Sequence, residues 1–215
     1  DPRSNRSIKP GDLYLVDSGA QYLDGTTDVT RTITVGKPSG EMRDRFTRVL
    51  KGHIAIATAR FPSGTSGGQL DALARHSLWE AGIDFEHGTG HGVGSFLSVH
   101  EGPQRISKNL GSSALRPGMI ISNEPGYYKT DCYGIRIENL LVVIEATIDG
   151  ILKDSFLEFE TLTLAPIDRA LIMEDMLSIS EKKWLNDYHR KVHTQLARHC
   201  EPDIRRWLKD VTSPI

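Results

Sequence analysis

Four carboxylates in this chain stand where strand-like stretches end or run through apolar surroundings. Asp17 closes Leu13-Tyr14-Leu15-Val16, Asp28 lies in a β-branched run, Glu124 follows Ile120-Ile121-Ser122-Asn123, and Glu138 sits inside Gly134-Ile135-Arg136-Ile137-Glu138-Asn139-Leu140-Leu141-Val142-Val143-Ile144. Carboxylates gathered in an interior repel one another and lose hydration, so at neutral pH they need cations or one of them takes a proton. A metal ion is the usual remedy. Asp17 and Asp28 by themselves also fit a turn cap and a solvated strand residue, since aspartate is mostly exposed. Glu138 fits that description less well, because strand alternation puts Arg136 and Glu138 on one face and Ile135 and Ile137 on the other. Arg136 is the plain alternative partner, although residues two apart on a strand are poorly placed for a bidentate pair. Arg31 and Arg136 are too few to neutralise four acids. An oxygen-rich shell completed by one imidazole suits hard or borderline divalent ions such as Mn, Co or Zn rather than a thiolate-bound structural zinc.

The imidazole is sought among eight histidines. His53, His76, His189, His193 and His199 fall in helical patterns and read as exposed or partly packed helix residues. His87, His91 and His100 lie in Gly-rich or turn-like chain, where function concentrates. The block His87-Gly88-Thr89-Gly90-His91-Gly92-Val93-Gly94 has too many glycines for a stable helix. It is a loop, or a backbone that something approaches closely. A dinucleotide fingerprint would require a helix after the glycines, and Leu97-Ser98-Val99-His100-Glu101-Gly102-Pro103 is none. No Gly-x-Ser-x-Gly elbow exists for a serine hydrolase. Cys132 and Cys200 sit in no activating context and read as inert, reduced thiols.

The elements that must position these groups follow from pattern and punctuation. Leu13 to Asp17 reads as a buried strand after the turn Lys9-Pro10-Gly11-Asp12, and Thr26 to Val35 as a second strand paired with it. A helix opens at Ser39-Gly40-Glu41 and runs to about Arg60; another spans Gly68 to Ala81, with Gly82 as its stop. Met119 to Asn123, Gly134 to Ile144 and Phe156 to Leu164 read as strands. Helical periodicity returns from Ser180 to about Cys200 and from Asp203 to Val211. Strands and helices alternate without regular βαβ spacing, so the fold class is α+β.

Composition bounds the rest. A net charge of −2 from 26 basic and 28 acidic residues argues against nucleic acid as a partner. The longest strongly apolar stretch, Leu140 to Ile144, is far short of a membrane span. Two cysteines make no disulfide framework. The opening Asp1-Pro2-Arg3 has no initiator Met and no apolar leader, which suggests an intracellular piece of a longer chain.

Five blocks, in order, carry a resemblance: Asp17-Ser18-Gly19-Ala20-Gln21-Tyr22 with Asp24-Gly25-Thr26-Thr27-Asp28-Val29-Thr30-Arg31-Thr32; His87 to Phe96; Val99-His100-Glu101-Gly102-Pro103; Asn123-Glu124-Pro125-Gly126-Tyr127-Tyr128; and Gly134 to Asn139. The sequence resembles the pita-bread metallopeptidases, and within them the eukaryotic-type, three-domain aminopeptidase P (Xaa-Pro aminopeptidase). The resemblance implies a curved antiparallel sheet flanked by helices. Residues 1–165 would form the catalytic domain, truncated at its N-terminus, and 166–215 a helical extension packed on it. It further implies two divalent metal ions, Mn foremost with Zn or Co possible. Asp17 would bind one, Asp28 and Glu138 would bridge, and His91 and Glu124 would bind the second. Glu124 would shuttle the proton from water to the leaving amine, His100 would hydrogen-bond the substrate or the tetrahedral intermediate, His87 would line the substrate side, and Arg136 would orient the carboxylates. The implied partners are a peptide with an Xaa-Pro N-terminus and a second copy of the chain in a homodimer; the implied location is the cytoplasm. A prolidase-type Xaa-Pro dipeptidase and a non-catalytic peptide-binding module are the alternatives. Family members carry one more histidine just ahead of the first strand, where this chain begins; the isolated piece is therefore expected to lack part of its substrate wall.

Overall fold

The computed structural model describes residues 5–111, 113–148 and 151–215. Asp1-Pro2-Arg3, where the chain departs from the family pattern, lies outside the described residues.

Strands β1 (Leu13–Tyr22) and β2 (Gly25–Thr34) form an antiparallel hairpin. β1 runs on past Asp17 instead of ending there, because β2 offers partners as far as Tyr22 opposite Gly25. Asp17 is thus a mid-strand residue. Helix α1 (Gly40–Ala57) starts at Ser39, whose hydroxyl accepts from the Met42 amide, and buries Phe46, Val49, Leu50, His53 and Ile54 along one side. After the short β3 (Arg60–Pro62), α2 (Gly67–Trp79) packs against α1 through Leu70, Ala74 and Leu78. Two-residue strands β4 (Gly90–His91) and β5 (Arg105–Ile106) pair within the glycine-rich region. These were not legible in sequence, being too short to show a period.

The remaining strands are β6 (Ile120–Asn123), β7 (Gly126–Lys129), β8 (Tyr133–Arg136), β9 (Asn139–Ile148) and β10 (Ile151–Thr161). β3-β10-β9-β6 make an antiparallel four-stranded sheet, while β7 and β8 form their own hairpin. The single strand expected from Gly134 to Ile144 is therefore broken at Ile137-Glu138. The chain changes partner there, leaving β7 and joining β6, and the Glu138 amide donates to the Thr30 carbonyl at 3.1 Å. Alternation survives the break: Ile135 and Ile137 are in the core, and Arg136 and Glu138 face the other way.

Helices α3 (Ile179–Leu196), opened by a reciprocal Ser178/Glu181 cap, and α4 (Pro202–Val211) complete the chain. Leu185, Tyr188 and Val192 of α3 and Leu208 of α4 share one core cluster with Phe46 and Leu50 of α1 and with Ile135 and Ile137. Two helical histidines depart from their expected exposure. His53 and His189 are fully buried. Burial, with the positive charge of Arg31 for His53 and of Arg169 and Arg31 for His189, pushes their pKa values down to about 3 and about 4.

Candidate metal centre

The β1–β2 register sets the first two acids. Asp17 lies opposite Thr30 and Asp28 opposite Gly19, so Asp17, Thr30 and Asp28 share one face of the hairpin. Thr30 then reaches across to the break between β8 and β9: its hydroxyl donates to Glu138 Oε2 at 2.8 Å. Glu138 is only 2% exposed. Burial, and the negative charges of Glu124 and Asp28, push its carboxyl up to about 8. Arg136 is not its partner. That guanidinium donates to Asp17 Oδ2 at 2.6 Å, to Thr30 Oγ1 at 3.1 Å and to the Tyr128 hydroxyl at 2.9 Å.

His91 enters from β4. Its amide donates to Ser122 Oγ at 2.9 Å, and its Nδ1 lies 3.0 Å from the Gly92 carbonyl, which can only accept. Nδ1 therefore carries a hydrogen, and Nε2 faces Asp28 Oδ2 at 3.4 Å and Glu124 Oε1 at 3.2 Å. A neutral ring would aim a lone pair at two carboxylate oxygens. Burial works to lower the His91 pKa, but the hydrogen bond to Asp28, the Gly92 carbonyl and the charges of Glu124 and Asp28 outweigh it and raise it. Glu124 is fixed at both ends: its amide donates to the Thr89 carbonyl at 2.8 Å, and Oε1 accepts from Ser122 Oγ at 2.9 Å. Burial, aided by Asp28, lifts its pKa against the opposing pull of His91, Ser122 and Arg136.

Among the described residues, Asp28, His91 and Glu138 each bring a donor atom within 4.8 Å of the others, and Glu124 joins them through His91. This donor set fits a divalent cation. Three acids crowded together and an imidazole nitrogen aimed among them are the arrangement a cation relieves. Asp17 stands apart, its side chain 53% exposed and turned to Arg136.

A cavity of about 650 Å³ opens on this cluster, lined by Asp17, His87, His91, His100, Glu124 and Arg136 among others. A second of about 340 Å³ lies across the acids, beside Asp28 and Val99. The His100 ring stands edge-on to His91 with centroids 4.2 Å apart. On the opposite wall a relay of hydrogen bonds runs from Arg136 to the Tyr128 hydroxyl and on to His87 Nε2 at 2.8 Å, while His87 Nδ1 donates to the Gly88 carbonyl. Burial lowers the His87 pKa.

Sequence reasoning did not single out Thr30, Ser122 or Tyr128. Ser122 was within reach of it, since alternation along β6 sets it on the side of Glu124. Thr30 and Tyr128 act through neighbours remote in the chain, and nothing local marks them. Arg31 takes a different part from the counter-charge its type suggests. Its guanidinium bonds the carbonyls of Thr30, Glu138, Ala165 and Pro166, Asn139 Oδ1 and the Tyr188 hydroxyl, tying β2 to α3 beneath the acids.

Comparison with known proteins gives the geometry its family. Residues 1–145 match the model of metallopeptidase family M24, and residues 155–215 match the C-terminal region of peptidase M24. The chain is 51% identical over 220 residues to the probable Xaa-Pro aminopeptidase P of Coprinopsis cinerea, covering all of this chain and 35% of that protein. It is 47% identical over 218 residues to aminopeptidase P1 of Arabidopsis thaliana, covering all of this chain and 34% of that one. The chain thus spans about a third of the length of the curated relatives it matches. The structure of X-prolyl aminopeptidase from Caenorhabditis elegans, described as a cytosolic enzyme with a di-nuclear active site, is similar with a TM-score of 0.93 at 43% identity, over 98% of this chain and 35% of that one. Prolidase from Pyrococcus furiosus gives 0.61 at 34% identity, over 73% of this chain and 43% of that one. The α+β architecture is accordingly the pita-bread fold. With one aspartate from a β-hairpin, an imidazole from a glycine-rich strand and two glutamates at strand ends converging on one space, the chain belongs to metallopeptidase family M24.

Proposed function

We propose that this chain carries the dinuclear metal site of an aminopeptidase that releases the N-terminal residue from peptides with proline in second position. The observation that carries the reading is the likeness to the Caenorhabditis elegans X-prolyl aminopeptidase over almost the whole chain, well beyond that to the Pyrococcus furiosus prolidase. The acid–imidazole cluster supports it chemically.

In this reading Asp17, Asp28, His91, Glu124 and Glu138 would together hold two divalent cations, Asp28 and Glu138 being shared between the two sites, Asp17 belonging to one and His91 and Glu124 to the other. Mn is the first candidate, with Zn or Co as rivals. When bound, such a pair lowers the pKa of a shared water and polarises the scissile carbonyl. The chain's own residues do the rest. Glu124, with its pKa lifted by burial, takes the proton from the attacking water and returns it to the leaving amine. His100 offers a ring nitrogen to the substrate on the cavity side of His91. His87, held neutral and oriented by Tyr128, lines the wall that receives the substrate. Arg136 presents Asp17 to the site and gives it up when a cation competes for the carboxylate. Proline in second position has no amide hydrogen and a fixed φ, so its pocket must accept a ring without a donor to bond.

The same reading makes residues 1–165 the catalytic unit and 166–215 its helical extension, and the polypeptide a cytoplasmic homodimer. Among the described residues no helix is long and apolar enough to cross a membrane. The test is a calorimetric titration with Mn²⁺ of this chain and of Asp28→Ala. About two ions per chain, lost in the variant, are expected. Uptake by neither this chain nor a longer polypeptide containing it contradicts the assignment. Cleavage of Xaa-Pro dipeptides in preference to longer peptides by that longer polypeptide would favour a prolidase instead.

A further inference from the structure

A network of buried polar groups lies beneath the cavity, around His53 of α1. Its Nδ1 lies 3.1 Å from the carbonyl oxygen of Asn123 and 3.2 Å from that of Ile137. Both partners only accept, so Nδ1 carries the hydrogen and shares it between them. Nε2 lies 3.2 Å from Asn139 Nδ2. The orientation of that amide is fixed from its far end, where Arg31, a donor only, gives a hydrogen to Oδ1 at 2.7 Å. Asn139 therefore donates to Nε2, and a single neutral tautomer satisfies every contact. Asn123 answers from its side by donating Nδ2 to the His53 carbonyl at 2.9 Å.

The two carbonyls that share the His53 hydrogen belong to the residues immediately before Glu124 and Glu138. At these points the strand ladders stop. The β6–β9 register reaches only Asn123 opposite Asn139, and the β7–β8 register begins again at Gly126 opposite Arg136. Between them, among the described residues, the one backbone bond joining the two segments is the long one from the Ile137 amide to the Pro125 carbonyl, at 3.4 Å. The gap in the ladder is therefore bridged from below by an imidazole on α1. We propose that His53 is a positioning residue for the metal centre: by sharing Nδ1–H between carbonyls 123 and 137 it sets the spacing of Glu124 and Glu138 so that both carboxylates reach the same pair of cations. This rests on the reading of those glutamates as ligands.

Donor placement separates this role from simple packing. An Asn side chain can put its amide NH₂ close to where Nδ1 stood, whereas Gln extends its amide towards the Nε2 position and Leu has no donor. If His53 only fills space, Gln, nearer to His in volume than Asn, is the better replacement. If it positions the glutamates, Asn is. The experiment compares His53→Asn, His53→Gln and His53→Leu by calorimetric titration with Mn²⁺, by the visible spectrum with Co²⁺ bound, and by the melting midpoint of each metal-free protein. His53→Gln and His53→Leu should weaken Mn²⁺ binding by about 10- to 100-fold and alter the Co²⁺ spectrum, while His53→Asn stays near wild type in both. Asn and Gln are the deciding pair, since both keep a polar amide in the cavity. Wild-type affinity in all three variants, or losses that follow the melting midpoints irrespective of the donor, would overturn the inference while leaving the ligand reading intact. A wild-type protein that takes up no Mn²⁺ overturns the ligand reading and this inference with it.

Discussion

Glu138 holds, in the metal-free chain, a proton that a bound cation would displace. The Glu138 carboxyl has an ordinary value of 4.5 and is pushed up to about 8 by burial and by the charges of Glu124 and Asp28. At neutral pH the folded chain thus keeps a proton there that the unfolded chain has released. The raised His91 acts in the same direction, its contribution being lost as pH rises through its folded value. Where the native state binds more protons, stability falls with pH. The urea midpoint of the metal-free protein should therefore drop between about pH 5 and pH 8, and Glu138→Gln, which keeps a neutral group in place, should flatten that drop. A midpoint that climbs across the range would contradict the buried, crowded carboxyl. The same protons compete with the cation, so metal affinity rises with pH.

The His91 side chain reaches Glu124 and Asp28 because β4 lies close against β6. Gly92 bridges to Ile121 and the His91 amide bonds Ser122. A Cβ on Gly90 would run into the Ser122 carbonyl oxygen, a backbone atom with nothing flexible to give. Gly90→Ala should therefore lower stability by about 1–3 kcal/mol and weaken metal binding as His91 is displaced; an unchanged titration in a folded variant would show that His91 is aimed by something else. Of the two readings open for the glycine-rich block, a loop or a closely approached backbone, the second describes Gly90. The sequence could not say what approaches, because Ser122 is some thirty positions away. Alternation correctly sided Ile135, Arg136, Ile137 and Glu138, yet the break at Ile137-Glu138 was invisible in it. A change of strand partner leaves no mark on the period of the strand that changes.

Across the whole molecule one core cluster joins α1, β8, α3 and α4, with Leu185 fully buried among Phe46, Leu50 and Ile135. Arg31 adds polar ties from β2 to residues 165–166 and to Tyr188. The C-terminal helices and the acid cluster are thus expected to melt as one unit. Leu185→Ala should cost about 2–5 kcal/mol in a single calorimetric transition; two separate transitions would mean that residues 166–215 fold independently of the site. What the sequence determined by itself was the inventory: which acids lie in apolar strands, which imidazole lies among glycines, and the order of the blocks that carry the M24 resemblance. These are properties of residue type and local period, which a linear chain displays. The tertiary structure alone decided that Asp17 turns to Arg136, that Thr30 holds Glu138, and that His53 is buried beneath the glutamates. Each depends on contacts between segments 30 to 120 positions apart, and burial and hydrogen-bond partners exist only once those segments have met.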